Sequence, residues 1–402
     1  MRVIFLGTPA FAVPTLEALV RAGYDVVCLV TQPDRPSGRG RQLTASPVKE
    51  AALRLRLPVY QPERIRRPEA VEYLTRLAPD VMIVVGYGQI IPQQVIDIPP
   101  HGIVNVHASL LPKYRGAGPV QWAIAKGETR TGVTTMRIDA GLDTGDMLLK
   151  AEADIGPEET AVELGARLAA MGAALLVETL ANIASIVPQK QDPAQATYAR
   201  LLKKEDGVID WRQPAQAIHN RVRGFQPWPG AYTRIRGPQL HIWKSRVGAG
   251  ESGAPGSLLL HPLRVVCGDG ALELIEVQLE GRKRIAAEAF ANGQRIAAGH
   301  QAWQGAHDEL RIQLDANHAS GRRQHLGDRQ AQQAGGGSAA GEGHRVARAR
   351  GAVGVAGIHQ DRAHRAARGS QVTAAKLHRR GLHAVLSEHA GGGGRQARHD
   401  QT

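Results

Sequence analysis

Cysteine is nearly absent: Cys28 and Cys267 are the two in a chain of 402 residues. That excludes a disulfide framework and a four-cysteine zinc site, and it fits a reducing compartment. No uninterrupted apolar run reaches the roughly 18 residues that cross a bilayer, so no membrane association is expected. The N-terminus lacks the basic, apolar, small-residue order of a signal peptide, because Gly7, Thr8 and Pro9 break it at once. A cytoplasmic protein is expected. The first turn reads Gly7-Thr8-Pro9-Ala10-Phe11 rather than Gly-x-Gly-x-x-Gly, so a dinucleotide site has no support.

Positive charge, by contrast, is plentiful. Fifty Lys and Arg against 37 Asp and Glu give a net charge of +13. Basicity points to an anionic partner without choosing among nucleic acid, nucleotide and membrane surface. The charge is uneven. Residues 1–300 carry 35 basic and 29 acidic side chains, a net of +6, and residues 301–402 carry 15 and 8, a net of +7. The last segment has none of the 23 prolines and no Phe or Tyr, yet holds 10 of 16 histidines and 17 of 46 glycines. Such text buries too little apolar surface to offset its ordering entropy, and 301–402 is read as a low-complexity basic tail.

The remaining 300 residues allow two domains at roughly 150 residues each. Arg2 to Gly7, Asp25 to Thr31, Asp80 to Gly86 and Gly102 to His107 read as strands. Helical patterns separate the earlier ones, starting at Thr8-Pro9, Ser46-Pro47 and Pro68. This rhythm predicts an α/β fold, an open, mostly parallel sheet with helices on both faces, whose ligands bind outside the carboxyl ends of the strands. Further strands are expected at Thr131 to Asp139 and Asp146 to Ala153, and a long helix from Glu159 to about Ala184. These elements make a first domain over 1–187. Residues 188–200 are polar, contain Pro193, and read as a linker. From 201 to 300, short strand-like runs at Gln239 to Ser245, Gly256 to Leu260, Arg264 to Val266 and Ala271 to Leu279 predict a small β-barrel.

Two motifs carry chemistry. In Asn105-Val106-His107-Ala108-Ser109-Leu110-Leu111-Pro112, Asn105 and His107 are two apart at a strand's end and share a face. Asparagine donates to a developing oxyanion, and histidine exchanges a proton near neutral pH. Taken alone, the pair is equally an ordinary polar strand end. Asp139-Ala140-Gly141-Leu142-Asp143-Thr144-Gly145-Asp146 follows, with Asp143 36 residues after His107. It reads as a plain turn, or as the source of a carboxylate that orients His107. A calcium loop would need a distal bidentate glutamate that is missing.

Together the motifs resemble the folate-dependent formyltransferases, over residues 1–298. Within that family, Gly7-Thr8-Pro9, the loop from Gln32 to Lys49, and Phe225-Gln226-Pro227-Trp228-Pro229-Gly230 are most similar to the members that act on methionyl-tRNA. The resemblance implies a Rossmann-like first domain and an OB-like barrel that helps hold tRNA. It implies 10-formyltetrahydrofolate as co-substrate, no tightly bound cofactor or metal, initiator methionyl-tRNA as acceptor, and a monomer. Asn105, His107 and Asp143 would be catalytic. Ser109, Leu110, Leu111 and Pro112 would line the folate site, with Val85 to Tyr87 either at the pterin or simply a core strand end. Arg39, in a loop that also holds Arg35 and Arg41, would contact tRNA; arginines suit phosphates and base edges, and Gly38 and Gly40 let the loop reorder. In the barrel, Arg221, Arg223, Lys244 and other basic residues are expected at phosphates, and Trp211, Trp228 and Trp243 at core and turn positions.

Formyltransferases acting on amino-sugar nucleotides share these motifs but resemble residues 32–49 less, and glycinamide-ribonucleotide formyltransferases lack a second domain. A catalytically silent RNA-binding protein of this fold is opposed by the intact Asn105, His107 and Asp143 set. The tail departs from the family. It is either a disordered basic extension with non-specific RNA affinity or the product of a frameshift near residue 300, which the abrupt compositional change favours. A chain ending at Gly299 should therefore keep the thermal transition of the full chain in calorimetry; loss of that transition would show that the tail completes the second domain.

Overall fold

The computed structural model describes residues 1–37, 42–248 and 253–296. Arg39 and the 301–402 tail lie outside the described residues. The first part of the chain forms β1 (Arg2–Gly7), α1 (Val13–Arg21), β2 (Asp25–Val30), β3 (Arg35–Ser37), β4 (Gln42–Thr44), α2 (Pro47–Arg54), β5 (Val59–Tyr60) and α3 (Pro68–Arg76). Next come β6 (Val81–Val85), α4 (Gln93–Ile96), β7 (Ile103–His107), α5 (Pro119–Ala125), β8 (Arg130–Arg137), β9 (Met147–Asp154) and α6 (Ala161–Ala181). The last group is α7 (Ala215–Gly224), β10 (Ala231–Arg234), β11 (Gln239–Gly248), β12 (Leu258–Leu259), β13 (Arg264–Val266), β14 (Ala271–Leu279), β15 (Ile285–Ala286) and α8 (Ala287–Gly293).

Seven strands build the first sheet in the order β5-β2-β1-β6-β7-β8-β9. β5 to β7 run parallel, and β8 and β9 add an antiparallel edge. Strand alternation sends Val3, Phe5, Val104 and Val106 to a core shared with α1, α2 and α6, and Ile4, Leu6, Met82 and Ile103 to the opposite core under α3. Burial on both faces explains why these strands read as unbroken apolar runs rather than alternating ones. The chain reverses its order between β1 and β6, so their carboxyl ends open the crevice in which this class of sheet binds ligands.

Local chemistry sets the helix starts. Ser46 caps α2 by accepting from the Lys49 amide at 3.2 Å, with Pro47 in the first turn. The cap expected at Thr8 does not form. Its hydroxyl donates instead to the Tyr87 carbonyl at 3.1 Å, tying the ends of β1 and β6 together, and α1 begins only at Val13 after a short 3-10 turn. α6 opens on a capping box of Thr160 and Glu163. By length and composition α6 would suffice to cross a bilayer, although no uninterrupted apolar run of that length was found. Half of its apolar window is buried, and Gly172 approaches β7 so closely that a Cβ would lie 2.7 Å from Val106.

The second sheet is antiparallel, in the order β10-β11-β14-β13-β12 with β15 on β14. Trp211, fully buried, donates its indole N–H to Thr233 at 3.2 Å and anchors the core beneath it. Trp243 lies under the Arg284 guanidinium at 4.1 Å, whereas Trp228 is exposed. α7 joins the two parts of the chain. Gly224 comes so near α5 that a Cβ would stand 2.8 Å from the Gln121 carbonyl, and Phe225 meets Trp122 edge-on at 5.4 Å. Arg223, one of the basic residues expected at phosphates, is buried instead. Its guanidinium donates to the carbonyls of Gly156 and Glu159 at 3.0 and 2.9 Å. Both bonds come from one terminal nitrogen, Nη1, while Nη2 donates to the Asn220 side chain at 2.8 Å.

His219 shares that interface, with Nδ1 at 3.1 Å from the Ser245 hydroxyl and Nε2 at 3.7 Å from the exposed Glu158. Burial, then the Arg223 charge, hold its imidazole below the ordinary value of 6.5. The unfolded chain therefore binds this proton more tightly than the folded one. The stability contributed by neutral His219 is complete above about pH 6.5 and falls as pH drops below it. His219→Asn should reduce the loss of melting temperature between pH 7.5 and pH 5 relative to the wild type, as read by calorimetry. His241, also depressed by burial, is unchanged in both proteins, so the difference isolates His219.

Candidate active site

β7 carries Asn105 and His107 to its carboxyl end on one face, opposite Met136 and Thr134 of β8. Both side chains are buried. The loop from β8 to β9 brings Asp143 to them. Asp139 organises that loop by accepting from the Gly141 amide at 3.0 Å and from the Thr144 hydroxyl at 2.7 Å. Gly145 passes so close to β8 that a Cβ would fall 2.0 Å from the Arg137 carbonyl. Asp143 itself sits in the left-handed region at φ +51°, a conformation that aspartate tolerates better than most residues. The alternation of Asp and Gly thus divides into a turn organiser, a close approach and one inward carboxylate.

Asp143 is the meeting point. Its Oδ2 accepts from the Gly116 amide at 2.8 Å and faces His107 Nδ1 at 3.7 Å. Its Oδ1 accepts from the Asn105 amide at 3.4 Å. On the far side, His107 Nε2 lies 2.9 Å from the Tyr114 carbonyl. A carbonyl can only accept, so Nε2 donates to it, and Nδ1 is the ring nitrogen that faces Asp143. Asn105 has a second N–H with no hydrogen bond among the described residues, available to an incoming oxygen. The three residues singled out in the sequence are therefore brought together around one small space.

The turn after β7 is more structural than the sequence implied. Ser109 is fully buried and donates to the Lys113 carbonyl at 2.6 Å. Thr134 donates to the Ser109 carbonyl at 2.7 Å and accepts from the Leu111 amide at 3.2 Å. Leu111 packs between Met136 and Met147. Leu110 and Pro112 remain half-buried, and Leu142, next to Asp143, is exposed. Val85 and Tyr87 are buried at the end of β6, and the Tyr87 hydroxyl has no hydrogen-bond partner among the described residues. The Tyr87 carbonyl accepts from both Thr8 and Gln32.

The base of the loop that carries Arg39 is tied by side chains. Lys49 donates to Asp34 at 2.5 Å and to Gln61 at 2.8 Å, and Gln61 donates back to Asp34 at 2.8 Å. The Lys49 ammonium, then the Gln61 amide, hold the Asp34 carboxyl below its ordinary range. The two ends of the segment are clamped.

Sequence reasoning missed the segment it called a linker. Gln189 pairs with Met147 at the start of β9 by two bonds of 2.8 Å. Thr197 and Ala199 pair with Arg115, and the Thr197 hydroxyl accepts from the Tyr114 amide at 2.8 Å. Gln191 bonds both Arg115 and the Asp143 loop. Polar composition and two prolines gave no sign of this, because the partners are mostly backbone groups that any residue supplies.

The Formyl transferase family model matches residues 1–180, and the model for the Formyl transferase C-terminal domain matches 201–295. The methionyl-tRNA formyltransferase of Solibacter usitatus is 68% identical over 309 residues, covering 76% of this chain and 99% of that protein. That of Koribacter versatilis is 58% identical over 301 residues, 73% of this chain and 96% of that protein. Among solved structures, the sugar 3N-formyl transferase WlaRD, in the presence of dTDP and 5-N-formyl-THF, superposes with a TM-score of 0.52 at 18% identity, over 70% of this chain and 99% of that one. HypX from Aquifex aeolicus in complex with tetrahydrofolic acid gives 0.50 at 16% identity, over 74% of this chain and 48% of that one. These two likenesses speak to fold alone. The sequence relationships go further, and the chain belongs to the methionyl-tRNA formyltransferase family.

Proposed function

We propose that this protein transfers a formyl group from 10-formyltetrahydrofolate to the free α-amino group of initiator methionyl-tRNA. The observation that carries the reading is the convergence of Asn105, His107 and Asp143 within 3.7 Å at the end of β7, in a chain 68% identical to a methionyl-tRNA formyltransferase. An α-amino group has a pKa of about 7.7–8.0, so a useful neutral fraction attacks the formyl carbon at physiological pH. The second Asn105 N–H donates to the formyl oxygen as it gains charge. His107 Nδ1 takes the proton released by the amine, and the Asp143 carboxylate balances the imidazolium that results. The new nitrogen–carbon bond forms, the bond from carbon to N10 of the folate breaks, and N10 receives the proton. The products are N-formylmethionyl-tRNA and tetrahydrofolate.

The half-buried Leu110 and Pro112 and the ends of β1 and β6 are assigned to the folate, the backbone rather than the buried side chains of Ser109 and Leu111 serving that turn. Residues 1–187 are assigned to catalysis, 188–200 to the connection, and 201–300 together with Arg39 to tRNA. The protein is proposed to act as a cytoplasmic monomer with no membrane partner. Alanine at Asn105, His107 or Asp143 should each lower turnover by about 10²-fold or more while the fold persists. The check is formylation rate beside melting temperature; near-normal turnover in a folded variant would remove that residue from the mechanism.

A further inference from the structure

The connection between the two sheets contains a buried polar knot. Arg115 and Gln191 are both buried. Arg115 donates through Nε and Nη2 to the Gln191 carbonyl oxygen at 2.9 and 2.8 Å. The Gln191 amide nitrogen then donates to the carbonyls of Asp143 and Gly145, each at 2.8 Å. One glutamine side chain thus spends its acceptor on one catalytic turn and both of its donors on the other. No other standard side chain of this length offers that combination: glutamate lacks the donors, and methionine lacks both.

The two turns it joins hold the reacting groups. Arg115 lies between Tyr114, whose carbonyl fixes His107, and Gly116, whose amide binds Asp143. The same segment continues to Thr197, which accepts from the Tyr114 amide at 2.8 Å and offers its carbonyl to the Arg115 amide at 2.8 Å. Ala199 completes the pairing by donating to the Arg115 carbonyl at 2.7 Å. Gly116 admits this closeness at φ +110°, where a Cβ would stand 2.8 Å from the Ala199 carbonyl. A long loop carrying a left-handed aspartate has no regular structure of its own to set its distance from β7. The donors from Gln191 supply that distance.

We infer that Gln191 is a positioning residue for formyl transfer, holding the Asp143 loop in register with the turn that fixes His107, so that the segment between the two sheets forms part of the active site. The inference rests on the function proposed above. It is local: neither Gln191 nor Thr197 needs to touch substrate.

Steady-state kinetics on the full chain test it. Gln191→Met keeps the volume and removes every hydrogen bond. Gln191→Glu keeps an acceptor for Arg115, so the segment stays tied, but sets a carboxylate against two carbonyls. Both should lower kcat by about 10- to 100-fold, the scale of a sub-ångström to 1 Å misplacement. KM for methionyl-tRNA and for 10-formyltetrahydrofolate should stay within about threefold. The pH profile of kcat should shift, because the spacing of Asp143 and His107 sets it. Thr197→Val, which loosens only the Tyr114 side, should cost less. A merely structural role would lower the melting temperature while kcat and its pH profile stay at wild-type values in the folded enzyme, and that result in Gln191→Glu would overturn the inference. An inactive wild type would instead contradict the proposed function, so the two failures are distinguishable.

Discussion

The Asp143 carboxylate, held by the Gly116 amide at 2.8 Å, is the interaction around which the site is arranged. A carboxylate taken out of water needs donors, and here they come from three directions: a backbone amide, the Asn105 side chain, and the His107 ring when it is protonated. Two of these donors sit on β7 and one on the turn after it. The carboxylate therefore couples the end of β7, the turn that follows it, and the β8–β9 loop. Its own backbone is in the left-handed region, and the glycines on either side of it, Gly141 and Gly145, leave no room for a side chain. In this loop one carboxylate oxygen faces the histidine and the other accepts from the asparagine.

The larger architecture serves the same end. A parallel sheet buried on both faces gives a rigid β7, and α6 approaches it closely enough to require Gly172. The second sheet is joined to this platform by α7 against α5 and by the Arg223 guanidinium on the turn before α6. Between them the chain does not wander; it crosses the catalytic turns and bonds to both. Rigid support of a site by residues outside it is the usual route to sub-ångström placement.

Much of this was legible in the residues. The apolar runs of β1, β6 and β7 gave a doubly buried sheet, and Asn105 and His107 two apart gave a shared face. Ser46-Pro47 gave a helix start that the structure keeps. Thr8-Pro9 misled because the threonine hydroxyl had a better partner across the sheet, the Tyr87 carbonyl, which no local pattern announces. Ser109 and Leu111, expected at the folate, have side chains bonded or packed within the turn, an orientation that the motif alone does not show. The strap from Gln189 to Ala199 was illegible for a different reason. Its bonds go chiefly to main-chain groups of Arg115 and Met147, and main-chain partners leave no mark in composition. Arg223, expected at phosphates by its charge, is instead buried at the interface, where its guanidinium donates to the Gly156 and Glu159 carbonyls.

The most direct measurement follows the formyl carbon itself. The enzyme is given 10-formyltetrahydrofolate labelled in the formyl group, together with initiator methionyl-tRNA and an amino-sugar nucleotide in equal amounts, and the label is traced to its acceptor. The account predicts label on the methionyl amino group, one equivalent of tetrahydrofolate released per formyl transferred, and none on the sugar. Label on the sugar nucleotide, or tetrahydrofolate released without any labelled acceptor, would contradict it.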